Sequence, residues 1–135
     1  MKKLLIIIIT LTLFVHKTLS AEIIEVNNDK IKELTLSGIP IIDIRTKNEW
    51  NTTGVIQSSN LITFFDNNGK YDLSKWLAQI KLINPDSKSI ILICRSGRRS
   101  HLVAKMINQN FDSPIYDATG GMNSWVKSKL KVIKP

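Results

Sequence analysis

With 135 residues and 43% hydrophobic content, the chain can bury the core of one domain without disulfides or metals, and its single cysteine excludes an internal disulfide. Nineteen Lys and Arg against eleven Asp and Glu give a net charge of +8. The lysines are scattered from Lys30 through Lys134, which reads as a solvated surface and not as a nucleic-acid or membrane-binding stripe.

Lys2 and Lys3 precede an uncharged apolar stretch over residues 4–15, closed by His16 and Lys17 and followed by the small residues Thr18, Ser20 and Ala21. That is the pattern of a secretory signal peptide. The stretch is shorter than the roughly 20 apolar residues a membrane-spanning helix needs, so an uncleaved anchor or a buried first strand suits it less well. Residues 1–20 are therefore expected to be a signal peptide and 21–135 the mature domain, exported to the periplasm or another extracytoplasmic compartment. Cleavage after Ser20 is favoured over cleavage after Ala21. No cysteine lies near that bond to take a lipid, so no stable membrane anchor is expected afterwards.

In the mature part, residues 23–26 predict a short strand, and Asn27 or Asn28 is placed to cap a helix over 29–37 that Gly38 ends. The apolar run over 39–44, with Pro40 at its start, predicts a strand buried on both faces, and a third run follows over 60–65 before the Asn67-Asn68-Gly69 turn. Helical spacing of Leu73, Trp76, Leu77, Ile80 and Ile83 predicts a helix over 71–83, stopped by Asn84-Pro85. Residues 89–93 predict the central strand, 100–110 a helix, 115–116 a brief strand, and Gly120-Gly121 a turn before a last helix around Trp125. Strands alternating with helices imply one α/β domain: a mostly parallel sheet of about five strands with helices on both faces. Sites in such sheets form at the carboxyl ends of strands.

Cys94 lies there. The segment Cys94-Arg95-Ser96-Gly97-Arg98-Arg99-Ser100 runs from the central strand directly into a helix, whose first N–H groups and dipole favour a thiolate. Arg95, Arg98 and Arg99 act in the same direction. Three arginines would be costly around an inert buried thiol but suit an anion docking beside a reactive one. Gly97 permits a positive φ that curls the loop around the sulfur. Asp43, Arg45 and Glu49 read as structural support, with Arg45 and Glu49 spaced to pair for ~0.3–1 kcal/mol if exposed. His101 follows on a helix face. Without further His or Cys in the mature chain, no metal site is expected, and the glycines form no dinucleotide fingerprint.

The segment CRSGRRS, residues 94–100, resembles the active-site loop of the rhodanese family, whose cysteine accepts a sulfane sulfur and passes it on. Asp43-Ile44-Arg45 with Glu49-Trp50 is similar to that family's D-x-R-x-x-x-E-aromatic signature, and Gly120-Gly121 with Trp125 to its closing Gly-Gly and Trp. The similarity covers about residues 22–128. Val55 stands in place of the family's usual histidine, and Ser58-Ser59-Asn60 replaces a common Gly-Ala pair and its neighbour; residues 61–69 are also less typical and read first as core plus turn, second as a partner surface. In the resembling sulfurtransferases the loop from cysteine to closing arginine spans six residues, one fewer than in phosphatase relatives. Here Cys94 to Arg99 is six, and position 100 is serine.

The resemblance implies a thiosulfate sulfurtransferase carrying sulfur as a Cys94 persulfide, with Arg95, Ser96, Gly97, Arg98, Arg99 and Ser100 binding substrate and no cofactor. The expected partners are a small anionic donor such as thiosulfate and a thiol or cyanide acceptor, with no nucleic acid. The alternative is a non-enzymatic sulfur carrier or interaction module of the same fold. A thiol oxidoreductase fits less well, since no second cysteine could resolve a disulfide.

Overall fold

A computed structural model describes residues 20–135. The expected signal peptide therefore lies outside the described residues except for Ser20. Strands β1 (Ile23–Val26), β2 (Ile41–Asp43), β3 (Asn60–Leu61), β4 (Ile90–Ile93) and β5 (Ile115–Ala118) form one sheet in the order β1-β5-β4-β2-β3, with every pairing parallel. Helices α1 (Asn28–Leu36), α2 (Lys47–Thr53), α3 (Leu73–Ile83), α4 (Arg98–Ile107) and α5 (Gly121–Lys127) alternate with them.

The sheet is covered on both faces because its strands are apolar on both. In β4, Ile90 and Leu92 pack in one cluster with Trp76 and Ile80 of α3 and Val103, Ala104 and Ile107 of α4. Ile91 and Ile93 alternate into the other, with Ile31 and Leu34 of α1 and Met122 and Trp125 of α5. Burying each such β4 side chain stabilises the fold by about 1.5–3 kcal/mol, an upper estimate.

Local chemistry sets the ends of the helices. The Asn27 side chain accepts the Lys30 N–H at 2.9 Å and caps α1, and Asp72 does the same for α3 through Lys75 at 2.9 Å. The helix expected over 100–110 starts two residues earlier and finishes as a 3-10 turn over Asn108–Asn110. Strands β2 and β3 are shorter than their apolar runs, with the paired residues confined to Ile41–Asp43 and Asn60–Leu61. The last strand is longer than expected: Asp117 and Ala118 continue it alongside Glu25 and Val26 of β1. Helix α2 was not legible in the pattern at all, since none of its residues is buried. A capping box holds it, with the Glu49 carboxylate accepting the Thr46 N–H at 3.0 Å.

Where Val55 and residues 61–69 depart from the resembling pattern, the structure gives each a place. Val55 is buried and bridges antiparallel to Ile133 near the C-terminus, each N–H donating to the other's carbonyl at 2.9 Å. Phe64 joins the core against Phe65, Tyr71 and Trp76. Asp66 then closes the turn by accepting the N–H groups of Asn68 and Lys70, both at 2.8 Å.

Candidate active site

Strand β4 delivers Cys94 to the carboxyl edge of the sheet, where its sulfur becomes the cap of the next helix. No side chain caps α4 in the ordinary way. Instead the Cys94 Sγ accepts the Gly97 N–H at 3.1 Å and the Ser100 N–H at 3.4 Å. The positive end of a ten-residue helix thus faces the sulfur. The expected loop geometry holds: Gly97 sits at φ +92°, and a Cβ there would come within 3.0 Å of the Gly120 nitrogen.

The Gly-Gly pair braces this loop from below. In α5 the Met122 N–H donates to the Cys94 carbonyl and the Asn123 N–H to the Arg95 carbonyl, both at 2.9 Å. Such contact requires glycine at 121, where φ is +56° and a Cβ would overlap the Cys94 carbonyl oxygen and the Arg95 backbone. Trp125 fixes the other side of α5, buried in the core with its indole N–H on the Lys131 carbonyl at 3.0 Å.

The three expected supporting charges divide differently from the sequence reading. Arg45 and Glu49 do not pair through their side chains. Arg45 is fully buried and binds Asp43 through Nε at 2.9 Å and Nη2 at 2.6 Å, and also donates to the Gly54 carbonyl at 2.9 Å. This buried pair ties the end of β2 to the end of α2. Glu49 reaches across to the loop instead, forming a two-point ion pair with Arg99, with Nη1 to Oε2 at 2.9 Å. The i, i+4 spacing suggested the wrong partner because Asp43, the Thr53 hydroxyl and the Glu49 and Gly54 carbonyls together saturate the Arg45 guanidinium.

Burial alone would raise the Glu49 pKa. The Arg99 hydrogen bond, the Thr46 N–H and the Arg99 charge outweigh it and hold the carboxyl down at about 2. The Glu49 hydrogen bond in turn raises the Arg99 pKa. Arg99 is thus committed to the protein's own carboxylate, whereas Arg95 and Arg98 are exposed and form no ion pair among the described residues. With Ser96, Arg99 and Leu102 they line an open pocket of about 530 Å³ above the loop. A cavity of about 600 Å³ between Trp50, Phe64, Tyr71 and Trp76 lies elsewhere, and Cys94 does not line it.

Two polar residues complete the site: Ser100, which the resemblance implied as a substrate-binding residue, and Asp117, which had no role in the sequence reading. Ser100, fully buried, lies 3.5 Å from Cys94 Sγ, and its hydroxyl donates to Asp117 Oδ1 at 2.6 Å. Asp117, also buried, holds His101 Nδ1 with its other oxygen at 3.0 Å. A polar chain therefore runs from the sulfur to a partly exposed imidazole. Asp117 carried no signal in sequence because it comes from β5, in a run too short to reveal its direction. Glu25, His101 and Asp117 also present ligand-type atoms within 4.8 Å of one another, the one such trio among the described residues. Cys94 itself has no exposed surface.

The parallel α/β domain thus places a helix-capping cysteine at the end of its central strand, with Arg95 and Arg98 exposed on the same loop. The chain belongs to the rhodanese-like domain family, whose model matches residues 25–128. Among solved structures it is similar to a rhodanese-related protein from Thermoplasma volcanium (TM-score 0.63, 22% identity, 83% of this chain and 99% of that one). It is likewise similar to a polysulfide-sulfur transferase homodimer from Wolinella succinogenes (TM-score 0.63, 18% identity, 82% and 78%). A protein from Rhodopseudomonas palustris described as a possible tyrosine phosphatase aligns with TM-score 0.62 at 23% identity over 82% and 85%. A search of curated proteins finds no match.

Proposed function

We propose that the protein is a sulfurtransferase that carries sulfane sulfur as a persulfide on Cys94, taking it from thiosulfate or a persulfide donor. The observation that carries this reading is the convergence of the Gly97 and Ser100 N–H groups on the only sulfur able to form that adduct. In the first half-reaction the Cys94 thiolate attacks the outer sulfur of thiosulfate; a Cys94 S–S bond forms, the bond to the sulfonate sulfur breaks, and sulfite leaves with the electron pair. In the second, cyanide or a thiolate attacks the outer persulfide sulfur and Cys94 leaves as thiolate. Arg95 and Arg98 attract the anionic donor into the pocket above the loop, and the six-residue span from Cys94 to Arg99 favours sulfur over phosphate. Because Cys94 is fully buried, loading requires local opening of the structure around the sulfur.

The polysulfide-sulfur transferase named above supports a sulfur acceptor of this general kind. The signal-like sequence over residues 1–20 supports export, which predicts a mature protein beginning near Ala21 or Glu22, read by N-terminal sequencing of the cell-envelope fraction.

The test is intact mass after incubation with thiosulfate. Wild type gains one sulfur atom, removable by cyanide with release of thiocyanate, and Cys94→Ser stays folded but gains nothing. Hydrolysis of aryl phosphates with no sulfur adduct sinks the proposal in favour of a phosphatase. A stable adduct that no acceptor discharges selects the non-enzymatic carrier.

A further inference from the structure

We propose that Asp117 and His101 are positioning residues that set the charge on Cys94 through one hydroxyl proton, that of Ser100. The Ser100 hydroxyl has one hydrogen and two acidic neighbours: Asp117 Oδ1 at 2.6 Å and Cys94 Sγ at 3.5 Å. It can donate to only one of them at a time.

When it donates to Asp117, its oxygen is left to accept the Cys94 S–H, and the pair rests as thiol and carboxylate. In the second arrangement the S–H bond breaks and its proton passes to Ser100 Oγ, while the Ser100 proton passes to Asp117 Oδ1. No proton is gained or lost. The pair becomes thiolate and neutral carboxyl, and the Ser100 hydroxyl now donates to the sulfur beside the Gly97 and Ser100 N–H groups.

His101 weights the balance. With its hydrogen on Nδ1 it donates to Asp117 Oδ2 at 3.0 Å, which stabilises the carboxylate and so retains the proton on sulfur. Its side chain is 40% exposed against 4% for Asp117, so solvent reaches the network through the imidazole. The other charges facing the pair are few. Glu25 on β1 lies opposite Asp117 in register and 4.0 Å from His101 Nδ1, opposing the carboxylate. Arg98 lines the same pocket as His101 and Asp117 and favours it. On the sulfur side, Arg99 favours the thiolate.

The inference rests on Cys94 being the nucleophile, but its test needs no sulfur donor, so it can fail while sulfur transfer stands, and the reverse. Thiolate absorbance in the ultraviolet is titrated with Cys94→Ser as the blank for the tyrosines. Asp117→Asn removes the competing charge, and its amide can donate to Ser100 as the neutral carboxyl does. The thiol midpoint should fall by about one pH unit or more, roughly tenfold more thiolate below the midpoint. His101→Ala should shift it the same way by less, and His101→Asn, which keeps a donor near the Nδ1 position, should restore the wild-type midpoint. A midpoint that stays or rises in folded Asp117→Asn overturns the proposal. Should that variant not fold, identical midpoints for His101→Ala and His101→Asn overturn it instead.

Discussion

Glu49→Gln isolates the charge that links α2 to the reactive loop, because glutamine can still complete the capping box at Thr46. Glu49 titrates at about 2 in the folded protein against 4.5 unperturbed. A shift of that size in a fully dry site would be worth ~3 kcal/mol at ~1.4 kcal/mol per unit. The Arg99 and Glu49 side chains are 30% and 25% exposed, so solvent screening reduces the expected contribution to ~1–2 kcal/mol. The folded pKa is depressed, so this stabilisation is fully present above about pH 4.5 and is lost as the pH falls toward 2. Urea unfolding should therefore find Glu49→Gln less stable than wild type by ~1–2 kcal/mol at neutral pH, with the gap closing through the acid range. Equal stability at neutral pH, or a gap that does not change on acidification, refutes the assignment of the depressed pKa to a stabilising pair.

Gly121→Ala places a methyl group on the Cys94 carbonyl and the Arg95 backbone at φ +56°, and should cost about 2 kcal/mol or more in chemical denaturation while lowering sulfur loading in parallel. Arg98→Ala should weaken use of thiosulfate by ~1.5–3 kcal/mol in kcat/KM if its contact to the anion is desolvated, with a neutral persulfide donor affected less. Arg99→Ala should differ from it by also lowering the urea midpoint, since it leaves Glu49 partly buried without its cation. Steady-state assays with the two donors, run beside unfolding curves, separate these outcomes.

The features readable from sequence are those whose partners are near in the chain or whose periodicity is long. The continuous apolar run ending at Ile93 revealed β4, and with it the position of Cys94 at a strand's carboxyl end; Gly97 revealed the turn that curls the backbone around the sulfur. Charge pairing was not readable in the same way. Arg45 has three carboxylate or carbonyl acceptors to choose from, and sequence spacing ranks Glu49 first, whereas the folded chain brings Asp43 to it in the low-dielectric end of the sheet. That choice frees Glu49 to reach the loop fifty residues away. Asp117 is the extreme case. Its carboxylate meets Ser100 only because β5 lies between β1 and β4, a strand order that no local pattern encodes. The same topology gives a buried acid to a buried thiol, and burying that acid is tolerable only because Ser100 and His101 satisfy both of its oxygens. The residues that hold Asp117 in place are thus the ones through which its charge reaches Cys94.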